Sequence, residues 1–242
     1  IYSLLVFLFK FFGNNYKFVF YRYFSFKGIS MNSVNNGNNN QAGRKGDILY
    51  RQNGRKSDEI RKVDLDIDVF GYADASVFFT LGNTKVLASV SIQNKVPLFL
   101  RKKGVGWLSA EYAMLPWSTH KRIPREISQL NRNIRSVEIS RLIGRSLRVV
   151  VDLENLGERS ILVDCDVLQA DGGTRVASIT AAFIALKIAV SRWLSSGILS
   201  SNILLDDVAA ISVGIVDGDF ILDLDYEEDC VADVDFNFVM SK

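Results

Sequence analysis

Apolar and polar positions fall into a regular order after about residue 45. Over 63–71 (VDLDIDVFG) they alternate with the period of two that a half-buried strand requires. The stretch 75–93 (ASVFFTLGNTKVLASVSIQ) has two apolar runs around Gly82-Asn83, which predicts a hairpin. VGWLSAEYAMLP (105–116) predicts a further strand closed by Pro116. From Arg135 to about Val150 the period lengthens, and Val137, Ile139, Leu142, Ile143 and Leu147 make the apolar stripe of a helix. ERSILVDCDVLQ (158–169) returns to alternation, with Asp164 and Asp166 on one face and Val163, Cys165 and Val167 on the other. A long helix filled with Ala, Ile and Phe is predicted from about Thr174 to Leu194. VAAISVGIVDGDFILDLDYEED (208–229) predicts two strands around a turn at Asp217-Gly218, with Asp223 and Asp225 alternating along the second. Strands and helices in this order predict an α+β domain, α/β-like, with helices packed on mixed β-sheets.

The first 45 residues follow no such pattern. Residues 1–30 are rich in Phe and Tyr, hold no acid, and carry Lys10, Lys17, Arg22 and Lys27. The apolar run 4–9 is interrupted by Lys10 and is too short to cross a bilayer. Its positive charge follows the run, whereas a secretory signal has it in front. Phe, Tyr, Lys, Ile and Asn are what AT-rich codons encode, so this part reads as translated upstream sequence, with Met31 as the start; an organellar transit peptide is the less favoured reading. MNSVNNGNNNQAG (31–43) is an Asn-rich low-complexity linker with too little apolar content to pack. The expectation is an N-terminal extension over 1–45 and a folded domain over 46–242.

Charge sharpens the picture. The net charge is only +2, but residues 101–148 hold eleven Lys or Arg against three Glu, and residues 201–242 hold eleven Asp or Glu against Lys242 alone. This suits a polyanion partner with metal-binding carboxylates nearby, and equally two halves that neutralise each other. Cys165 and Cys230 form no metal-ligand spacing, and a reducing, cytoplasmic setting is the simpler assumption. His120 is the only histidine, which excludes a His-rich metal site. It lies among cations in STHKRIPR, as a surface or RNA-facing residue would.

Candidate chemistry gathers at QADGGTR, residues 169–175. Amides at a helix start lack partners within the helix and bind anions, and glycine lets the backbone come close. Gly172 and Gly173 precede the long helix, Thr174 adds a hydroxyl, and Arg175 adds a fork suited to phosphate oxygens. Alone, the stretch reads more simply as a strand-to-helix turn capped by Asp171. Arg135 could bring a second cation from the start of the other helix. Arg141, Arg145 and Arg148 share a helix face and read as a solvated face or a ladder with Glu138. The acids of LDLDYEEDCVADVDFN (222–237) could bind Mg²⁺, which needs only one or two carboxylates, or could simply line a solvated strand end.

Taken together, NTKVLASVSI, GWLSAEYAMLPWSTHKRIPRE, EISRLIGRSLR, LGERSILVDCDVLQADGGTRVASITAAFIAL, VAAISVGIV and LDLDYEEDCVADVDFNFVM stand in the order and spacing of one family. From about Gly54 onward the chain resembles the ribonuclease PH family of phosphate-dependent 3′-to-5′ exoribonucleases, whose fold is like the second domain of ribosomal protein S5. The resemblance implies removal of 3′-terminal nucleotides from tRNA precursors by inorganic phosphate, reversibly, with release of nucleoside diphosphates. It implies phosphate binding by Arg135, Gly173, Thr174 and Arg175, and Mg²⁺ or general-acid roles for Asp229 and Asp235. Arg122 and Arg125 would guide the RNA. The partners implied are RNA and five further copies in a homohexamer, a trimer of dimers, with no membrane. The alternative is a non-catalytic RNA-binding subunit of an exosome-like ring. The chain departs from the family at Asn133-Ile134-Arg135, where the usual pattern is Gly-Gly-Arg, and at Trp117, where arginine is common. The family also continues with a strand and a helix beyond NFVMSK, so 46–242 is expected to lack them.

Overall fold

The Gly82-Asn83 hairpin is the centre of the first sheet. The computed structural model describes residues 17–19, 51, 53–125 and 133–241. Its strands are β1 (Lys17–Val19), β2 (Val63–Ile67), β3 (Ala75–Leu81), β4 (Thr84–Gln93), β5 (Trp107–Met114), β6 (Ser160–Gln169), β7 (Val208–Val216), β8 (Asp219–Leu222) and β9 (Val234–Ser241). Its helices are α1 (Ile134–Arg148), α2 (Leu153–Leu156), α3 (Thr174–Ser195) and α4 (Tyr226–Val231). One sheet runs β2-β3-β4-β6-β5 and the other β1-β9-β7-β8. The first is mixed, because β6 pairs antiparallel with β4 and parallel with β5. The α+β expectation holds.

Helix α3 packs on β3 and β4 of the first sheet and on β7 of the second. Most of it is buried between layers and apolar, while Lys187, Ser191, Arg192 and Ser195 mark its exposed side towards the C-terminal end. Its length and composition would also suit a membrane span, but 67% of that stretch is buried inside the fold. Helix α1 packs on β5 with Ile139, Leu142, Ile143 and Leu147 buried, as its stripe predicts. On β6, Val163, Cys165 and Val167 are buried and Asp164 and Asp166 face away from them.

Three expectations need correction. Residues 63–71 alternate, yet the strand ends at Ile67 and none of its residues is buried. It is an edge strand paired only with β3, and Val63, Leu65 and Ile67 keep 43–54% exposure. Asp223 and Asp225 do not alternate along a strand. β8 stops at Leu222, Asp223 turns left-handed at φ 54°, and Asp225 caps α4. Lastly, the part of 1–45 that is described, β1, does join the fold by pairing antiparallel with Val239–Ser241 at the edge of β9. The remaining residues of 1–45, including the Asn-rich linker, lie outside the described residues.

Candidate active site

The start of α3 is built to leave its amides open. Gly172 and Gly173 have φ of 73° and 65°, the left-handed region that glycine occupies without penalty. Gly172 also has no room for a side chain, since a Cβ there would lie 2.6 Å from the Leu224 carbonyl oxygen and the Asp225 backbone. Gly173 is the N-cap of α3, and no side chain caps the helix. The cap expected from Asp171 is absent because its Oδ1 instead accepts the Tyr226 N–H at 3.4 Å. The first intrahelical bond runs from the Ala177 N–H to the Gly173 carbonyl, so the amides of Thr174, Arg175 and Val176 precede it. Thr174 is buried, and its Oγ1 accepts a hydrogen bond from the Tyr112 hydroxyl at 3.0 Å. Tyr112, on β5, is a site residue that the sequence reading did not single out.

The start of α1 is finished differently. Asn133 is its N-cap and accepts the Arg135 N–H at 3.0 Å, so the asparagine at the family's glycine position supplies a cap. The Arg135 side chain is exposed. Its charge reaches the buried Tyr112 hydroxyl, as does that of Arg175; both favour ionisation there, but burial outweighs them and holds the phenol above its usual range.

Asp229 and Asp235 join the same cluster. Asp229 is exposed on α4, and Asp235 sits half-buried on β9 opposite Gly214 of β7. The Asp235 carboxyl is held above the usual carboxylate range, chiefly by burial and then by the negative charge of Asp229. Arg175, a hydrogen bond from Asn237 at 3.2 Å, and Arg135 pull the other way without prevailing. The two carboxylates and two arginines named from sequence thus share one electrostatic environment. Among the described residues neither carboxylate has an ion pair, and no group of three or more His, Cys, Asp or Glu is arranged to hold a metal. A half-buried carboxyl raised by a neighbouring carboxylate is a donor set that a divalent cation would relieve.

Three other acids of this run, Asp223, Asp225 and Glu228, are committed to arginines the sequence reading passed over. Asp223 is fully buried and takes a forked contact from Arg61, with Nε at 2.9 Å and Nη2 at 2.7 Å. Arg51 is buried, donates to the Leu222 and Asp223 carbonyls at 2.8 Å each, and pairs with Glu228. Arg55 lies within 3.3–3.6 Å of Asp223, Asp225 and Glu228. Asp225 and Glu228 also form a reciprocal capping box on α4, the helix that carries Asp229. The sequence signals were the arginines of RQNGRKSDEIR, 51–61, ahead of the first predicted strand, and the D-x-x-E spacing of DYEE.

On the approach to this cluster, Arg122 and Arg125 are exposed in the segment after β5. That segment is tied to the residues before the glycine loop by the Ala170 N–H donating to the Ser118 carbonyl at 2.7 Å. His120 packs against Tyr226 of α4 with ring centroids 5.1 Å apart, and Trp117 is 71% exposed. Arg148 is not a plain solvated residue: its guanidinium lies 4.6 Å over the Trp107 ring and its Nε donates to the Gly144 carbonyl.

Comparison with known proteins gives matches over most of the folded part of the chain. The domain 1 model of the 3′ exoribonuclease family matches residues 59–191, and its domain 2 model matches residues 206–242. Ribonuclease PH of Bacillus subtilis is 51% identical over 192 residues, covering 79% of this chain and 78% of that protein. Ribonuclease PH of Neisseria meningitidis is 53% identical over the same length, covering 79% of each. Among solved structures, the Archaeoglobus fulgidus exosome with RNA bound to the active site has a chain with a TM-score of 0.64 at 26% identity, covering 78% of this chain and 76% of that one. Rice Rrp46 has a TM-score of 0.61 at 20% identity, covering 75% and 77%.

Proposed function

Because the chain belongs to the 3′ exoribonuclease family, we infer that it is a phosphorolytic 3′-to-5′ exoribonuclease of the ribonuclease PH type. It removes the last nucleotide of an RNA with inorganic phosphate and releases a nucleoside diphosphate. The observation that carries this reading is the uncapped start of α3 sharing one electrostatic environment with Arg135, Arg175 and the Asp229–Asp235 pair.

The chemistry follows from those groups. Phosphate sits against the amides of Thr174 and Arg175, with Gly173 letting the backbone approach and the two guanidinium groups facing its oxygens. An oxygen of this phosphate attacks the terminal phosphorus in line. The bond to the 3′-oxygen of the penultimate nucleotide breaks, and that oxygen needs a proton. Asp235 is a suitable donor, because its raised pKa keeps the protonated form populated further toward neutral pH. No nucleophilic side chain is required; positioning and neutralisation of developing charge do the catalysis. Where Asp229 and Asp235 instead hold Mg²⁺, Asp235 is ionised and gives up the donor role, and the ion would neutralise charge on the transferred phosphoryl group.

The RNA class proposed is the 3′ end of tRNA precursors, with Arg122 and Arg125 steering the strand through salt-sensitive contacts. The proposed assembly is a homohexamer, a trimer of dimers, in keeping with the relatives' family and the exosome neighbour. Incubation with a short RNA, Mg²⁺ and phosphate tests the reading. Nucleoside diphosphates should appear in proportion to phosphate; monophosphates released without phosphate would overturn it.

A further inference from the structure

We propose that Arg61 is a positioning residue that fixes the phosphate seat relative to the carboxylate-bearing helix. The inference rests on the function proposed above and assigns a role to a residue that makes no contact with substrate there.

Its contacts join two backbone segments that are remote in sequence. The Arg61 guanidinium is buried and grips both oxygens of Asp223, at 2.9 and 2.7 Å, while the Arg61 N–H donates to Asp223 Oδ2 at 2.8 Å. The guanidinium also donates to the main-chain carbonyls of Asp171, Gly172 at 3.4 Å and Leu224 at 3.3 Å, and to Thr84 Oγ1 at 3.4 Å. Asp171 and Gly172 are the two residues before Gly173, the cap of α3. Asp223 and Leu224 are the two residues before Asp225, the cap of α4. One planar cation therefore ties together the approaches to both helix starts, one bearing Thr174 and Arg175, the other followed by Asp229.

Two further contacts make the join rigid. Thr84 Oγ1 donates to the Gly172 carbonyl at 2.7 Å and accepts the Asp171 N–H at 3.0 Å. Gly172 meets the Leu224–Asp225 backbone with no space for a Cβ. A lysine in place of Arg61 has a point charge and no fork, so it cannot hold the Asp223 carboxylate and carbonyls of both segments in one plane. Loss of the fork lets the phosphate and the carboxylates drift apart, and a displacement of about 1 Å is enough to lower turnover about 100-fold. RNA binding, carried by charges such as Arg122 and Arg125, does not depend on that distance.

The test uses the full chain with Arg61→Lys and the double variant Arg61→Met/Asp223→Leu, which removes both buried charges. Removing both members leaves neither as a lone buried ion of the pair, so the double variant separates loss of the fork from the effect of one uncompensated charge. Measured are the melting temperature, the RNA dissociation constant, and kcat and KM for phosphate. We expect Arg61→Lys, assayed below its melting temperature, to lose about 100-fold in kcat/KM for phosphate with RNA binding unchanged. The double variant, which takes a partner from Arg55, from the Arg61 N–H and from three main-chain carbonyls, should melt below the wild type and, assayed below its own melting temperature, remain equally impaired. Wild-type kcat/KM for phosphate in either folded variant overturns the inference. A wild-type protein that releases no nucleoside diphosphate defeats the functional reading instead. In that case inorganic phosphate should still raise the melting temperature of the wild type and not of Arg61→Lys; equal rises overturn the positioning role.

Discussion

Helices α1 and α3 both begin beside the candidate site, and they begin in opposite ways. Asn133 closes the start of α1, accepting the Arg135 N–H, and the arginine side chain extends into the open. Gly173 leaves the start of α3 without a side-chain cap, Thr174 is buried under the Tyr112 hydroxyl, and Arg175 is half-buried. An anion site needs amides that are not already satisfied; the Asn133 side chain takes the Arg135 N–H out of that set at α1, whereas no side chain does so at α3. The difference teaches that a side-chain cap, which stabilises a helix, also takes an amide out of anion chemistry, and that the glycine start of α3 gives up that stabilisation.

The largest effect should come from the charge at the open start. Arg175→Ala should reduce turnover at least ~100-fold, the scale for losing one donor to developing charge, while RNA binding measured without phosphate largely survives. Phosphate KM and a filter-binding constant for RNA check both halves; unchanged turnover would place the phosphate away from α3. Gly172→Ala attacks the same start through its backbone. The left-handed φ costs about 1–2 kcal/mol for any other residue. Overlap with the Leu224–Asp225 backbone costs about 1–3 kcal/mol more. A denaturation midpoint reads that loss, and none is expected for the same substitution at Gly218, an exposed turn glycine with open space around it, beyond the left-handed strain alone.

Asp235 extends the comparison to pH. Its folded pKa is raised, so the folded protein holds this proton more tightly than the unfolded chain does. The carboxyl's contribution is therefore most favourable in acid. It is lost as pH rises from the ordinary carboxylate range through the raised value, and above that the ionised group destabilises the fold. Asp235→Asn should accordingly raise the melting temperature at pH 7, should lose that advantage below the carboxylate range, and should abolish turnover at both. Thermal melts across that pH range decide it; a lower melting temperature at pH 7 would mean that Arg175 and Arg135 outweigh burial.

What could be read from sequence divides along the same line between local and distant causes. The hairpin at Gly82-Asn83, the stripe of α1 and the alternation of β6 depend on neighbours in the chain, and all appear as expected. The α4 cap was also legible, since Asp225 and Glu228 have capping-box spacing, but the acids around it read more readily as metal ligands. Arg61 and Asp223 are 162 residues apart, and no periodicity announces a pair of that kind. β2 misleads for a different reason. Its alternation is real, but alternation marks two faces and does not supply a partner for either, and β2 lies at a sheet edge with its apolar face uncovered. Within the site, Arg135, Thr174 and Arg175 were raised by helix-start chemistry and Asp229 and Asp235 by family motifs, and the structure brings the charges of the two arginines and two carboxylates within reach of one another. Tyr112 was not, because a tyrosine in the middle of a strand reads as core until its hydroxyl is seen on Thr174.

The smallest effect belongs to the closed start. Asn133→Ala removes the cap on α1 and should cost about 1 kcal/mol of stability, whereas Asn133→Gly should cost only a few tenths, near ~0.3 kcal/mol. Neither should change phosphate KM, because Arg135 acts through its side chain. Paired denaturation and phosphate-titration measurements separate the two quantities. A lower phosphate KM in Asn133→Gly would show that the freed Arg135 N–H joins the phosphate site. The contrast between the helix starts would then reflect one asparagine at position 133, and α1 and α3 would be two halves of a single anion cradle.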